Sequence, residues 1–312
     1  MKLIFISSVD KVSLWRESLG AELPELEFAI WPDDVGPDDF ESFDYALVWK
    51  PPAGVLKRFT NLKAILSLGA GVDGVLVDPE LPTDIPVCRL VDRCLTQGMT
   101  EYILYYVIHY HRRMAEYAAL HAARDWQNLP QEDARRRRIG IMGLGELGAD
   151  AAEKLVALDY DVACWSRSAK TMDGVASFHG ENGLSAFLAR TQILICLLPL
   201  TEQTRGILNA ETLAKLPEGA VVINCARGGH VVDDDLLAAL DSGHIAGATL
   251  DVFNEEPLPA EHPYWTHPKV IVTPHVASLT VPHSAAEYIA DNIRRIERGE
   301  TPLNVVDLGS GY

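Results

Sequence analysis

The chain has little of what marks a secreted, membrane-bound or nucleic-acid-binding protein. Its five cysteines (Cys88, Cys94, Cys164, Cys196 and Cys225) are odd in number and lack paired spacing, so neither a disulfide framework nor a metal-binding finger is indicated. Two of them, Cys164 and Cys196, sit inside apolar runs, as the buried thiols of a reducing compartment do. The longest apolar run, Ile193–Leu200, falls far short of the ~20 residues of a membrane span. The apolar stretch within Met1–Asp10 is too short for a signal-peptide core, so a cytoplasmic protein is expected. Basic residues are scarce: Lys plus Arg total 27 against 44 Asp plus Glu, a formal net charge of −17. That balance repels phosphate backbones and anionic lipid, which argues against nucleic acid and membrane as partners. It suits a soluble surface, and any anionic ligand must be drawn in by local positive features.

What is present is ordinary globular chain, 312 residues at 48% hydrophobic and 23% charged, enough for two domains with their own cores. No internal repeat or low-complexity tract interrupts it. Apolar runs at Lys2–Ile6, Tyr45–Trp49 and Ala64–Leu68 read as strands of a parallel sheet covered on both faces. A second series follows at Ile139–Met142, Val162–Trp165, Ile193–Leu198, Val221–Asn224, Ala248–Asp251 and Val270–Thr273. Helical segments such as Leu147–Leu158 and Asp234–Asp241 separate most of these runs. The alternation predicts an α/β chain of two doubly wound parallel-sheet domains. One long helix, Glu101–His121, is expected to join them, and another, Ser284–Arg298, to run back to the first. The expected limits are residues 1–100 with 284–312 for one domain, and 101–283 for the other.

The second series opens on a strand that runs into Gly143-Leu-Gly145-Glu146-Leu147-Gly148 and then a helix. Gly-x-Gly-x-x-Gly in that setting is a dinucleotide-binding turn. The first glycine makes the tight turn, the second admits a pyrophosphate to the backbone, and the third lets helix and strand pack closely. The helix N-terminus then offers unpaired N–H groups to the phosphates. At the end of the next strand stands Trp165-Ser166-Arg167-Ser168 with Lys170 behind it, where an NAD-preferring site places an acid. Without that acid nothing repels a 2′-phosphate, and Arg167 can pair with one, so NADPH is the expected cofactor and NADH a weaker substitute. The Arg135–Arg138 run precedes its strand, the wrong end for a cofactor, and reads as a solvated approach to the sheet.

Three polar residues close the set. Arg227 follows the strand ending at Asn224, Glu256 follows the strand near Ala248, and His275 follows Val270–Val272, which places all three at one sheet edge. An arginine grips a carboxylate through two parallel hydrogen bonds. A histidine backed by a carboxylate is a proton donor near neutrality. His109 and His111 make no chelating pair, because helix positions two apart point roughly 200° from one another, and no metal site is expected.

These segments, together with Tyr45–Pro52, Leu68-Gly-Ala-Gly-Val-Asp73, Leu198-Pro-Leu-Thr201, Leu250-Asp-Val-Phe253 and the Gly311-Tyr312 tail, cover essentially the whole chain. In combination the chain resembles the D-isomer-specific 2-hydroxyacid dehydrogenases, and within them the bacterial glyoxylate/hydroxypyruvate reductase type. The resemblance implies a Rossmann cofactor domain inserted into a flavodoxin-like substrate domain. It also implies that Arg227 binds the carboxylate and carbonyl of a small 2-oxo acid, that His275 donates the proton, and that Glu256 orients His275. The loop Gly69-Ala70-Gly71-Val72 would offer backbone N–H groups to the same carboxylate, beside Trp49. Leu198, Pro199, Thr204, Cys225 and Ala226 would line the cofactor with the residues named above, and Asp251 would hold the nicotinamide amide. A homodimer through the cofactor domain is implied, with a loop around Trp126 reaching the partner.

Two positions depart from the reductase pattern: Lys50 replaces a histidine after Trp49, and Val281 replaces an arginine after Thr280. The expected reaction is reduction of glyoxylate to glycolate or of hydroxypyruvate to D-glycerate. Pyruvate or an aryl-pyruvate is the alternative substrate. A dinucleotide-sensing binding protein is the alternative of another class, and the intact Arg227, Glu256 and His275 set speaks against it.

Overall fold

The computed structural model describes residues 1–309; the Gly311-Tyr312 tail lies outside the described residues. The chain divides into two compact units, one of Met1–Leu95 with the chain from Leu279 onward, the other of Thr96–Ser278.

The first unit is built on β1 (Lys2–Ile6), β2 (Glu27–Ile30), β3 (Tyr45–Val48), β4 (Ala64–Ser67) and β5 (Val87–Cys88). They form a parallel sheet in the order β2-β1-β3-β4-β5. Every residue of β3 and β4 is buried, which is why their sequences run apolar without alternation. Between the strands lie helices α1 (Val12–Glu22) and α2 (Asp73–Leu76).

The chain passes into the second unit within α3 (Arg93–His111), and α4 (Met114–Ala123) follows it. The single helix expected over Glu101–His121 is therefore two. The break is at Arg113, whose φ of 59° and ψ of 38° are left-handed and interrupt the helical ladder. An Arg113–Glu116 ion pair and a hydrogen bond from Arg113 to the Pro130 carbonyl (3.4 Å) hold that turn. Neither glycine nor proline marks it in the sequence.

The second sheet contains β6 (Arg138–Met142), β7 (Asp161–Ser166), β8 (Val175–His179), β9 (Ile193–Cys196), β10 (Ala220–Asn224), β11 (Ile245–Leu250) and β12 (Val270–Val272). Its order is β12-β11-β10-β9-β6-β7-β8, all parallel. Helices α5 (Glu146–Ala157), α6 (Gly180–Arg190), α7 (Ala210–Leu213) and α8 (Asp233–Asp241) connect the strands. In α5, Gly148, Ala151, Ala152 and Leu155 are buried, the i, i+3, i+4, i+7 stripe of a helix lying on a sheet. Strand order reverses between β6 and β9, so a crevice opens at their carboxyl ends, where ligands of doubly wound folds bind.

Helix α9 (Pro282–Glu297) returns to the first unit and buries Ala285, Ile289 and Ile293 against α1, whose own buried residues are Trp15 and Leu19. Among the described residues no helix is long and apolar enough to cross a membrane.

All five cysteines are free, and only Cys94 is not buried. Burial pushes the thiols of Cys88 and Cys164 up to about 12 and that of Cys225 well above its ordinary value, which keeps them unreactive. In the native protein at pH 8, iodoacetamide should therefore label Cys94 first, the other four reacting only after unfolding, as read by peptide mass spectrometry. Early labelling of Cys164 or Cys225 would contradict this packing.

Candidate active site

The glycine turn sits at the strand-order reversal. Gly143 has φ of 106°, and a Cβ there would lie 2.7 Å from the Leu197 carbonyl oxygen. A Cβ on Gly148 would come within 2.0 Å of the Gly143 carbonyl oxygen, so α5 reaches β6 only because that residue is glycine. Gly145, the N-cap of α5, is different: a Cβ there would meet no protein atom within 4 Å. Packing within the protein therefore does not call for glycine at this position. Glu146 and Leu147 begin the helix beyond it.

At the end of β7, Trp165 is buried and its indole N–H donates to the Gly180 carbonyl (2.9 Å). The Ser166 hydroxyl donates to the Ser168 carbonyl (2.8 Å), which curls the chain and leaves Arg167 and Ser168 exposed. Lys170 reaches back so that its ammonium donates to the Leu144 carbonyl (2.6 Å) inside the glycine turn. This tether joins the two turns of the cofactor motif and adds a positive charge between them. In the sequence, Lys170 shows only as a second cation after Arg167.

Beyond β9, Leu198 is buried, and the Pro199 carbonyl accepts from the Thr204 hydroxyl (2.7 Å), closing a compact loop. Beyond β10, Cys225 and Ala226 are buried, and Asn224 folds back over the turn. Its Oδ1 accepts from the Ala226 N–H (3.2 Å) and its Nδ2 donates to the Arg227 carbonyl (2.9 Å). Sequence reasoning passed over Asn224 because it closes an apolar strand.

The turn after β12 is the most constrained. His275 has φ of 55°, a strained value for a residue with a side chain. Its N–H donates to the Asp251 carbonyl (2.8 Å). Asp251, only 1% exposed, takes three further hydrogen bonds on its carboxylate: from the Val276 and Ala277 N–H groups (2.8 Å each) and from the Thr273 hydroxyl (2.6 Å). Since that hydroxyl donates to the carboxylate, the Tyr102 hydroxyl 2.7 Å away donates to Thr273. Burial pushes the Asp251 carboxyl up, and the three donors hold it back.

The His275 ring then meets Glu256. Nδ1 lies 3.0 Å from Oε2 and 3.2 Å from Oε1, while the Phe253 N–H donates to Oε1 (3.2 Å). A carboxylate only accepts, so Nδ1 carries the hydrogen of this contact. Both side chains remain partly exposed, 31% for His275 and 25% for Glu256. The structure thus brings Arg227, Glu256 and His275 to adjacent loops on one carboxyl edge.

The first unit carries a second loop of interest, after β4. A Cβ on Gly69 would lie 2.5 Å from the Trp49 ring, so the indole rests on bare backbone. The buried Ser67 hydroxyl accepts from the Gly69 N–H (3.2 Å) and donates to the Gly69 carbonyl (3.0 Å), which sets the path of Ala70, Gly71 and Val72. Lys50 has φ of 44° and packs over Gly74, while Val281 caps α9. The arginine run is engaged elsewhere: Arg135 pairs with Asp133 (2.8 Å) and Arg136 with Glu132 (3.4 Å). Arg137 donates to the buried His111 (3.5 Å).

Residues 104–277 match the model of the D-isomer specific 2-hydroxyacid dehydrogenase, NAD binding domain. The chain is 45% identical, over the full length of both, to glyoxylate/hydroxypyruvate reductase A of Serratia proteamaculans. A D-isomer specific 2-hydroxyacid dehydrogenase from Xanthobacter autotrophicus, solved with NADPH and MES, superimposes with a TM-score of 0.95 at 46% identity, covering 100% of this chain and 99% of that one. The NADPH-dependent glyoxylate/hydroxypyruvate reductase of Sinorhizobium meliloti, solved with NADP and sulfate, gives 0.94 at 39% identity over 100% of each chain. With these matches, the chain belongs to the D-isomer-specific 2-hydroxyacid dehydrogenase family.

Proposed function

We infer that this protein is an NADPH-dependent reductase of small 2-oxo acids, turning glyoxylate into glycolate and hydroxypyruvate into D-glycerate. The observation that carries the reading is the Glu256–His275 pair, fixed at 3.0 Å on the same sheet edge as Arg227. Support for the substrate and cofactor comes from the Serratia and Sinorhizobium reductases, alike over their whole length. The residues present fit the dinucleotide: the open face of Gly145 suits a pyrophosphate, and the acid-free Trp165–Ser168 turn with Arg167 suits a 2′-phosphate. Leu198, Pro199, Thr204, Cys225, Ala226 and Asp251 complete that surface in this reading.

Bound NADPH supplies a hydride to the carbonyl carbon of the acid. His275 gives its Nε2 proton to the carbonyl oxygen and regains one from solvent, while Glu256 holds the ring in the required orientation. Arg227 grips the carboxylate and balances negative charge growing on the oxygen, an electrostatic contribution of about 3 kcal/mol in comparable sites. Trp49 and the Ala70–Val72 backbone are the further substrate contacts. In this reading residues 1–100 with 284–312 serve the substrate and residues 101–283 the cofactor.

The active species is a homodimer, and the five free thiols suit a reducing cytoplasm. Helix α4 supports the dimer: it is rich in alanine, buries none of its residues in its own chain, and leads to a Trp126 that is 96% exposed. An apolar arm of this kind is normally covered by a partner.

Arg227→Ala should raise KM for glyoxylate and cut kcat/KM by roughly 10²–10³. His275→Ala should mainly lower kcat, by about 10²–10⁴. Near-wild-type steady-state rates in either variant would refute these roles. Arg167→Ala should weaken NADPH far more than NADH, and an unchanged ratio of the two kcat/KM values would discard the 2′-phosphate assignment. Ala119→Glu, on exposed α4, should convert the dimer into a monomer by light scattering; a wild-type protein that is already monomeric would overturn the arm's role.

A further inference from the structure

His230 is buried to 0% exposure beneath the site, and nothing in the chemistry above uses it. Its ring spans two loops. Nδ1 lies 3.0 Å from the Arg227 carbonyl oxygen, and Nε2 lies 3.3 Å from the Pro199 carbonyl oxygen. Both partners can only accept, so the ring satisfies both when each nitrogen carries a hydrogen. Burial pulls the imidazole pKa down, but the Cys196 side chain on β9 and the two carbonyls outweigh it and leave it above its ordinary value.

The two carbonyls belong to different working parts. Pro199 sits in the loop closed by Thr204, on the cofactor side, and Arg227 is the carboxylate anchor. The Arg227 carbonyl is already held by Asn224, so this one backbone group takes side-chain hydrogen bonds from two fully buried residues. That is a large polar investment in one backbone oxygen, since each buried donor left without a partner is costly. The main chain beside His230 adds to the same connection: its N–H donates to the Arg227 carbonyl (3.3 Å), and the Leu208 N–H donates to its own carbonyl (2.9 Å).

We propose that His230 is a positioning residue for the reaction: its ring staples the Arg227 loop to the Pro199 loop and fixes where the arginine stands relative to the cofactor-binding edge. A sub-ångström drift of the anchor would misplace the carbonyl carbon for hydride transfer, and such errors are expensive in rate. The proposal rests on Arg227 being the carboxylate anchor.

The test compares wild type, His230→Phe, His230→Gln and Arg227→Gln, measuring kcat and KM for glyoxylate, the NADPH Kd by fluorescence, and Tm. His230→Phe should raise KM about tenfold and lower kcat about tenfold, and should weaken NADPH as well. His230→Gln, whose amide can donate to the Arg227 carbonyl, should recover much of the KM. An unchanged KM in His230→Phe with only a lowered Tm would mean a merely structural role and overturn the proposal, Arg227→Gln remaining impaired. A normal KM in Arg227→Gln would overturn the underlying reading instead, and this proposal with it. Should His230→Phe not fold, 15N-histidine NMR of the wild type decides. The His230 ring signals should shift when oxamate, an isostere of a 2-oxo acid, joins the NADP complex; signals that stay put would overturn the staple.

Discussion

Much of the second unit's chemistry hangs on one buried carboxylate. Asp251 closes β11 and takes hydrogen bonds from Val276, Ala277 and Thr273, while its own carbonyl accepts from His275. Those bonds bend the chain after β12 so tightly that His275 adopts a left-handed backbone. The strain is held in place by the surrounding bonds, and its result is a ring aimed at Glu256. Without the anchor, the turn would relax and the pair would lose its geometry. The Tyr102 hydroxyl extends the same network into α3, tying the histidine turn to a long, partly buried helix.

A parallel sheet gives this anchor its value. Because every strand in the second unit points the same way, the loops after β6, β7, β9, β10, β11 and β12 emerge along one edge. The glycine turn, the Arg167 turn, the Pro199 loop, Arg227, Glu256 and His275 are therefore neighbours in space despite spanning more than a hundred residues. The loops are then braced by polar side chains: buried Asn224 under Arg227, buried Asp251 under His275, and the exposed Lys170 between the two cofactor turns. Preorganisation of this kind lowers the cost of arranging charge when the carbonyl begins to accept a hydride.

The frame of the molecule was legible in the sequence for a physical reason. Doubly covered strands such as Tyr45–Val48 and Ile193–Cys196 must be apolar throughout, and glycines at Gly143 and Gly148 must be glycine because backbone lies against them. Short or exposed elements escaped notice: β2 and β8 alternate burial or lie at an edge, and β5 has two residues. The break at Arg113 was invisible because a left-handed arginine leaves no compositional mark. The bracing residues were hidden for a similar reason. Asn224 acts through backbone groups of its own turn, Thr273 through the Asp251 carboxylate, and His230 through the carbonyls of two loops, and no spacing rule in one chain reports such contacts. Arg227, Glu256 and His275 stood out because each follows a recognisable strand.

The most direct measurement is NADPH oxidation followed at 340 nm with hydroxypyruvate and glyoxylate, repeated with NADH, together with the configuration of the glycerate formed. The account predicts fast turnover with NADPH, slower turnover with NADH, and D-glycerate as product. L-glycerate, or no turnover of either acid despite tight NADPH binding, would contradict it.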